Sequence, residues 1–335
     1  MRLPEPTGSL SSALIELLRD GTVAELPDAG EGAADPLDDA DLQLALYLCY
    51  ELHYRGFDDV DPDREWDPRV IALRGVLERR FYAALSDAVP RRRGVAPDEV
   101  GRLLFQLAEA DPAPSLSRHL GASGTLEQIR EFVVHRSAYQ LKEADPHSWA
   151  IPRLTGAAKA ALVEVQFDEY GSGEGERIHA RLFAEAMDAL GLDSTYGAYL
   201  DLLPARTLAT VNLMSMLGLH RRWRGAIVGH LAMFEITSPE PNRRYGNALR
   251  RLGFESATPF FDEHVEADSV HENIAAYDMA GGLAKQSPAL TEDILWGADC
   301  LLVLEGRWAA MLLSAWERGE TALRRPLAET TAVPA

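Results

Sequence analysis

The sequence predicts an all-α protein, and three observations carry that reading. Apolar residues recur at three- and four-residue spacing in segment after segment, the period of one helix face. Alternating Val/Ile/Thr runs closed by Asn-Gly or Asp-Gly turns, the mark of hairpins, are nearly absent. Pro and Gly cluster at the junctions GVAPDE, ADPAPS, DPHSWAIP, GSGEGE and SPEPN, where they punctuate rods rather than interrupt them. A hydrophobic fraction of 47% is enough to give these rods a common core.

Taken in order, the first helices are expected over 10–20 (LSSALIELLRD), 39–57, 68–89 and 97–110, each with an apolar stripe. DPAPSLSRHLGASGTL breaks the pattern near 111–125 and suggests a boundary. The spacing then predicts helices over 125–143, 154–170, 174–191, 195–217, 219–237, 240–253 and 259–285, with a further pair within 288–319. The expected organisation is an N-terminal helical segment over 1–120, a main helical domain over 121–325 and a frayed tail over 326–335. No internal repeat or low-complexity block stands out.

The charge bounds the partners. With 52 acidic against 33 basic residues, the chain carries a net charge of −19. Such a surface repels nucleic-acid phosphates and anionic lipid heads, so neither nucleic acid nor membrane is expected as a partner. No stretch approaches the ~18 consecutive apolar residues of a membrane span, and MRLPEPTGSLSSALIELLRDG lacks the pattern of a signal peptide. The two cysteines, Cys49 and Cys300, imply no disulfide framework and fit a reducing compartment. A cytoplasmic protein is expected.

The chemistry is concentrated in polar residues on apolar helices. In FFDEHVEADSVHENIA, His264, Asp268 and His271 stand at spacings of four and three, which stack side chains on one helical face. A solvated surface face would also tolerate that pattern, so other helices must supply partners if a metal is held. Three do so. Glu169 closes one helix before a Gly-rich turn, with His179 expected one to two turns into the next. Glu235 is the one acid in the apolar run LAMFEI, where an unpaired carboxylate is costly. Glu143 ends a helix just before DPHSW. Four carboxylates and three imidazoles, without thiolate, suit iron or manganese better than structural zinc. Four carboxylates would also balance two iron(II) ions, and helical bundles hold paired metals in this way.

At these residues the sequence resembles the haem-oxygenase-like di-iron oxidases and oxygenases. The pattern is a Glu on one core helix, a His shortly after, a Glu on the next and HxxxDxxH on the last. Here it reads Glu169, His179, Glu235 and His264/Asp268/His271, over about residues 126–285. The ten-residue interval from Glu169 to His179 is similar to the N-oxygenating members, the streptozotocin-type N-oxygenase among them. Those have an extra carboxylate ligand where Glu143 falls, and a helical N-terminal segment that mediates dimerisation. The resemblance implies two iron ions without haem, O₂ as co-substrate and a small-molecule substrate. It also implies an external electron donor, a homodimer and N-hydroxylation of an amine or amino-acid-derived compound in a biosynthetic pathway. The streptozotocin enzyme also carries a C-terminal cupin. No β-rich segment here would build one, so the reaction is expected to stop at the di-iron step.

The same ligands would also serve desaturation or carbon–carbon cleavage of an amino or fatty acid. A helical scaffold, or a protein that oxidises its own side chain, is the non-turnover alternative. Among other signals, GSGEGE (171–176) lacks the strand and Lys-Ser/Thr of a phosphate loop and reads as a turn. His135 reads as a packed or surface residue, His230 as pointing away from Glu235, and His147 as a loop residue.

Overall fold

The computed structural model describes residues 1–21 and 35–327; the side chains of Asp268 and Ser269 and most of the expected tail lie outside that description. Among the described residues every regular element is helical. The α-helices in chain order are α1 (Ser9–Asp20), α2 (Ala40–Glu51), α3 (Pro68–Ala88), α4 (Val100–Glu109) and α5 (Leu116–Ser123). Next come α6 (Leu126–Gln140), α7 (Asp145–Ser148), α8 (Gly156–Glu169), α9 (His179–Ala189) and α10 (Ala205–Leu219). The last are α11 (Arg224–Thr237), α12 (Pro239–Arg251), α13 (Pro259–Asn273), α14 (Gly281–Gln286) and α15 (Thr291–Glu317). A π-helical stretch, Ile274–Ala280, joins α13 to α14.

Local chemistry sets the boundaries. The Asp39 carboxylate caps α2 by accepting from Asp41 N and Leu42 N, and Asp67 caps α3 ahead of a Pro at its first position. Thr125 and Gln128 form a capping box at α6. Ser115 caps α5 inside the stretch expected to be irregular, so a short helix fills that junction. Pro204 delays α10 to Ala205, and residues expected at its start form only a 3₁₀ turn, Leu200–Leu202. The expected pair within 288–319 is instead one 27-residue helix.

That long helix shows what its glycine is for. A Cβ on Gly297 would stand 2.0 Å from Ala226 O, and one on Gly229 would stand 1.8 Å from Ile294 O. The two glycines face each other's helix, so α11 and α15 approach closer than any side chain allows. Both helices are buried along most of their length, with Ala226, Ile227, Val228, Ile294, Leu295 and Trp296 in the core. The helices of 1–120 share that apolar cluster through Leu14, Leu18, Leu46 and Leu77. Buried polar contacts accompany it: Asn212 on α10 donates to Gln43 O and Oε1, each at 2.8 Å.

Candidate metal centre

Six of the seven expected ligands come from five places in the chain and meet in the interior. Glu143 lies in the turn that follows α6, Glu169 is the last residue of α8, and His179 is the first of α9. Glu235 comes from α11, and His264 and His271 from one face of α13. None of the six is more than 6% exposed. Asp268 belongs to the same helix, but its side chain lies outside the described residues.

His179 is not one to two turns into its helix as expected. A 3₁₀ turn, Gly175–Arg177, and the extended Ile178 occupy the preceding residues, so α9 begins at the histidine itself. The turn before it passes through left-handed backbone at Gly171, Ser172 and Gly173. At Gly171 a Cβ would meet Arg177 C at 2.7 Å, so a glycine is required to fold the segment back from Glu169 to His179. GSGEGE is thus the turn that brings Glu169 and His179 together, in keeping with its lack of phosphate-loop features.

The ligand atoms fall into two groups, each within a span of 4.8 Å: Glu143, Glu169, His179 and His264 in one, and Glu169, Glu235 and His271 in the other. Glu169 belongs to both. Glu169 Oε2 stands 3.0 Å from His179 Nδ1, Glu143 Oε1 3.5 Å from His264 Nε2, and Glu235 Oε2 3.5 Å from His271 Nδ1. Adjacent ligands of a first-row cation, each about 2.1 Å from it, are separated by about 3.0–3.5 Å. Glu169 Oε2 and His179 Nδ1 face each other, but Glu143 Oε2 and His179 Nε2 are buried with no hydrogen-bond partner among the described residues. Such atoms are costly unless a cation takes their lone pairs. The oxygen/nitrogen donor set is one that iron accepts, so the residues fit the metal.

Outer contacts fix the imidazoles. His264 Nδ1 donates to Phe260 O at 2.8 Å, which turns Nε2 toward Glu143. His271 Nε2 donates to Asp168 Oδ2 at 3.0 Å, which turns Nδ1 toward Glu235. These are the partners that orient metal-binding histidines. Asp168 was missed in the sequence, where it is one acid among several next to Glu169. It also accepts from Ser172 Oγ at 2.7 Å.

The charges are strongly perturbed. Burial pushes the Glu143 carboxyl above its usual range, although His264 and His179 oppose this. Burial pushes Glu169 up too, but His179, His264 and His271 outweigh it and hold the carboxyl down at about 2. Burial likewise opposes protonation of His179, and the Glu169 carboxylate raises it nonetheless.

Beside the ligands is a void of about 10 Å³ lined by Glu143, His147, Glu169, Glu235 and His264. It has room for about one water or ion and no organic molecule. His147 and His230, which sequence reasoning set aside, form a buried pair here, with Nε2 3.1 Å from His230 Nδ1. His135 is packed, 2.6 Å from Thr207 Oγ1. No helix of the described residues is long and apolar enough to cross a membrane.

No curated protein matches the chain. The model of the family described as iron-containing redox enzyme matches residues 130–306, more than half of the 335-residue chain and the part that supplies all six converging candidate ligands. The all-α fold, the buried His/Glu cluster and that match agree: the chain belongs to the iron-containing redox enzymes of haem-oxygenase-like fold.

Proposed function

We propose that the chain is a non-haem di-iron oxygenase that uses O₂ to N-hydroxylate an amine or amino-acid-derived substrate in a biosynthetic pathway. The observation that carries the reading is the presence of Glu169 in both ligand groups. One carboxylate shared between two sets of donors is what a pair of cations requires. Iron held there supplies O₂ binding and reduction. The chain's own residues set the conditions. His264 and His271 are held in single orientations by Phe260 O and Asp168, so their lone pairs need no reorganisation when metal enters. Glu143 adds a third described carboxylate to offset the cations, with Asp268 as the proposed fourth. Phe260 packs against the His264 ring and Phe234 lines the small void beside the ligands, so the reacting atoms would have apolar neighbours that limit access of water. One oxygen atom of O₂ enters an N–H bond to give a hydroxylamine. The other leaves as water, taking two protons and two electrons from an external donor.

The proposal includes a cytoplasmic homodimer with residues 1–120 as its dimerisation segment. The buried free thiols of Cys49 and Cys300 suit a reducing compartment. Desaturation and carbon–carbon cleavage would use the same ligands and are separated by product analysis.

Anaerobic iron(II) titration tests the reading. Wild type should take up two irons per chain, Glu235→Ala about one, and Glu169→Ala fewer than one, because only Glu169 serves both groups. A wild type saturating at one iron, or a Glu169→Ala variant that still holds two, would overturn it.

A further inference from the structure

A second, much larger cavity of about 910 Å³ opens on the other side of His264. It shares His264, Phe234 and Ser238 with the small void at the ligands. Its size suits an organic molecule, and its walls come from α4, α5, α6, α9, α11, α12, α13 and α15. Many of the lining side chains are aromatic, Phe132, Phe183, Phe234, Phe261 and Trp308 among them, and Phe260 packs against His264 with ring centroids 4.3 Å apart.

The polar groups on these walls are unequal in what they leave open. Arg136 is engaged twice, donating to both oxygens of Glu305 at 2.8 and 2.6 Å and lying 4.1 Å over the Trp308 ring. Arg244 donates to Glu240 Oε1 at 2.8 Å and to Ser117 Oγ at 3.2 Å. Each of these two guanidinium groups already holds a carboxylate. The rim adds Glu109 and Asp111, with Arg118 exposed beside them. Gln140 is different. It stands one helical turn beyond Arg136 on α6 and just before Glu143, and its Oε1 is buried with no hydrogen-bond partner. A buried amide oxygen in that state is missing a donor.

We propose that this chamber is the substrate site and that it takes an amine with an apolar or aromatic body and no carboxylate, its N–H donating to Gln140 Oε1. The inference rests on the di-iron reading for which end reacts: the nitrogen faces His264. Aromatic faces and an acidic rim attract a protonated amine. Burial among aromatic rings then favours loss of its proton, which frees the lone pair for oxygen transfer. Inside the chamber a carboxylate would have to displace Glu305 or Glu240 from its arginine, and outside it would meet only Arg118, exposed on the rim beside Glu109 and Asp111.

The experiment is anaerobic calorimetric binding to the iron-loaded full chain. The probes are 4-phenylbutylamine, its trimethylammonium analogue, which keeps the charge but has no N–H, and 4-phenylbutanoate. Wild type should bind the primary amine at least tenfold tighter than either of the others. Gln140→Leu should weaken the amine about tenfold, the effect of one buried hydrogen bond, and leave the quaternary analogue unchanged. The proposal is overturned if 4-phenylbutanoate or the quaternary analogue binds as tightly as the amine, if Gln140→Leu keeps the preference, or if the amine shows no saturable binding. Iron content measured on the same samples separates the two readings. Two irons with the carboxylate preferred would sink this inference and leave the metal centre standing. Amine binding by a chain that takes up no iron would sink the metal centre and leave the chamber standing.

Discussion

Replacing Gly229 with Ala tests whether the α11–α15 contact places the metal centre. The new Cβ would stand 1.8 Å from Ile294 O, 2.6 Å from Ile294 C and 2.9 Å from Ile294 Cα, all backbone atoms of a 27-residue helix. No rotamer change relieves such a clash. Ordinary contact begins at 3.4 Å, so the two backbones must part by the difference of 1.6 Å at this point. Two terms compete. Within a helix, Gly→Ala by itself stabilises by about 0.5–1 kcal/mol. Overpacking a close-packed interior costs about 1–3 kcal/mol, and a clash between two backbones belongs at the upper end. The net expectation is a loss of about 2 kcal/mol, or a few degrees in Tm for a chain of this size. The displacement should also reach Glu235, six residues along the same helix, and on the proposed di-iron reading weaken iron at the Glu169/Glu235/His271 group more than at the other. Gly282→Ala is the matched control: it lies in α14 with nothing within 4 Å of its added Cβ, and should be neutral or slightly stabilising. Thermal melts of both variants with and without iron(II), and their iron stoichiometry, decide the matter. If Gly229→Ala melts at or above the temperature of Gly282→Ala, the tight crossing does not exist as described.

Two further outcomes are expected. Asp168→Ala removes the acceptor for His271 Nε2 and should weaken metal binding by about 10–100-fold with the helical signal intact, measured by competition with a chelator; unchanged affinity would leave Asp168 without an orienting role. Burial holds His135 down at about 3 and His147 down at about 4, against 6.5 for a free imidazole, so both stay neutral in the fold while the unfolded chain takes up protons below pH 6.5. Stability should therefore be fully present above that pH and fall on acidification toward pH 4, by up to about 1.4 kcal/mol per pH unit for each residue. Flat melting temperatures between pH 7 and pH 5 would contradict this.

What could be read in the sequence was whatever a single helix encodes. His264 and His271 were legible because seven residues bring two side chains back to one face. Glu235 was legible because an acid inside LAMFEI needs a partner. The helical class followed from periodicity alone. The failures have long-range causes. A pair of helices was expected where α15 is continuous, and Gly297 in its middle is a contact surface for Ala226, which only the packing of α11 reveals. His147 was read as a loop residue because the turn that buries it passes through Ala144 at φ 74°, a left-handed conformation that no pattern of apolar residues announces. Asp168 and Gln140 differ from neighbouring polar residues only in what lies opposite them in space.

The same distinction explains why a centre of this kind is built from helix ends as much as from helix faces. A face delivers ligands along one line, and ligands on a line cannot surround an ion. Glu169 ends α8, His179 opens α9 and Glu143 occupies the turn after α6, so three donors approach from directions that α13 cannot supply. The cost is that three buried carboxylates converge where each suffers desolvation, and Glu143 is driven toward its neutral form. Cations remove that penalty in the folded chain and have no comparable site in the unfolded one, so iron should act as part of the fold's stability as well as of its chemistry.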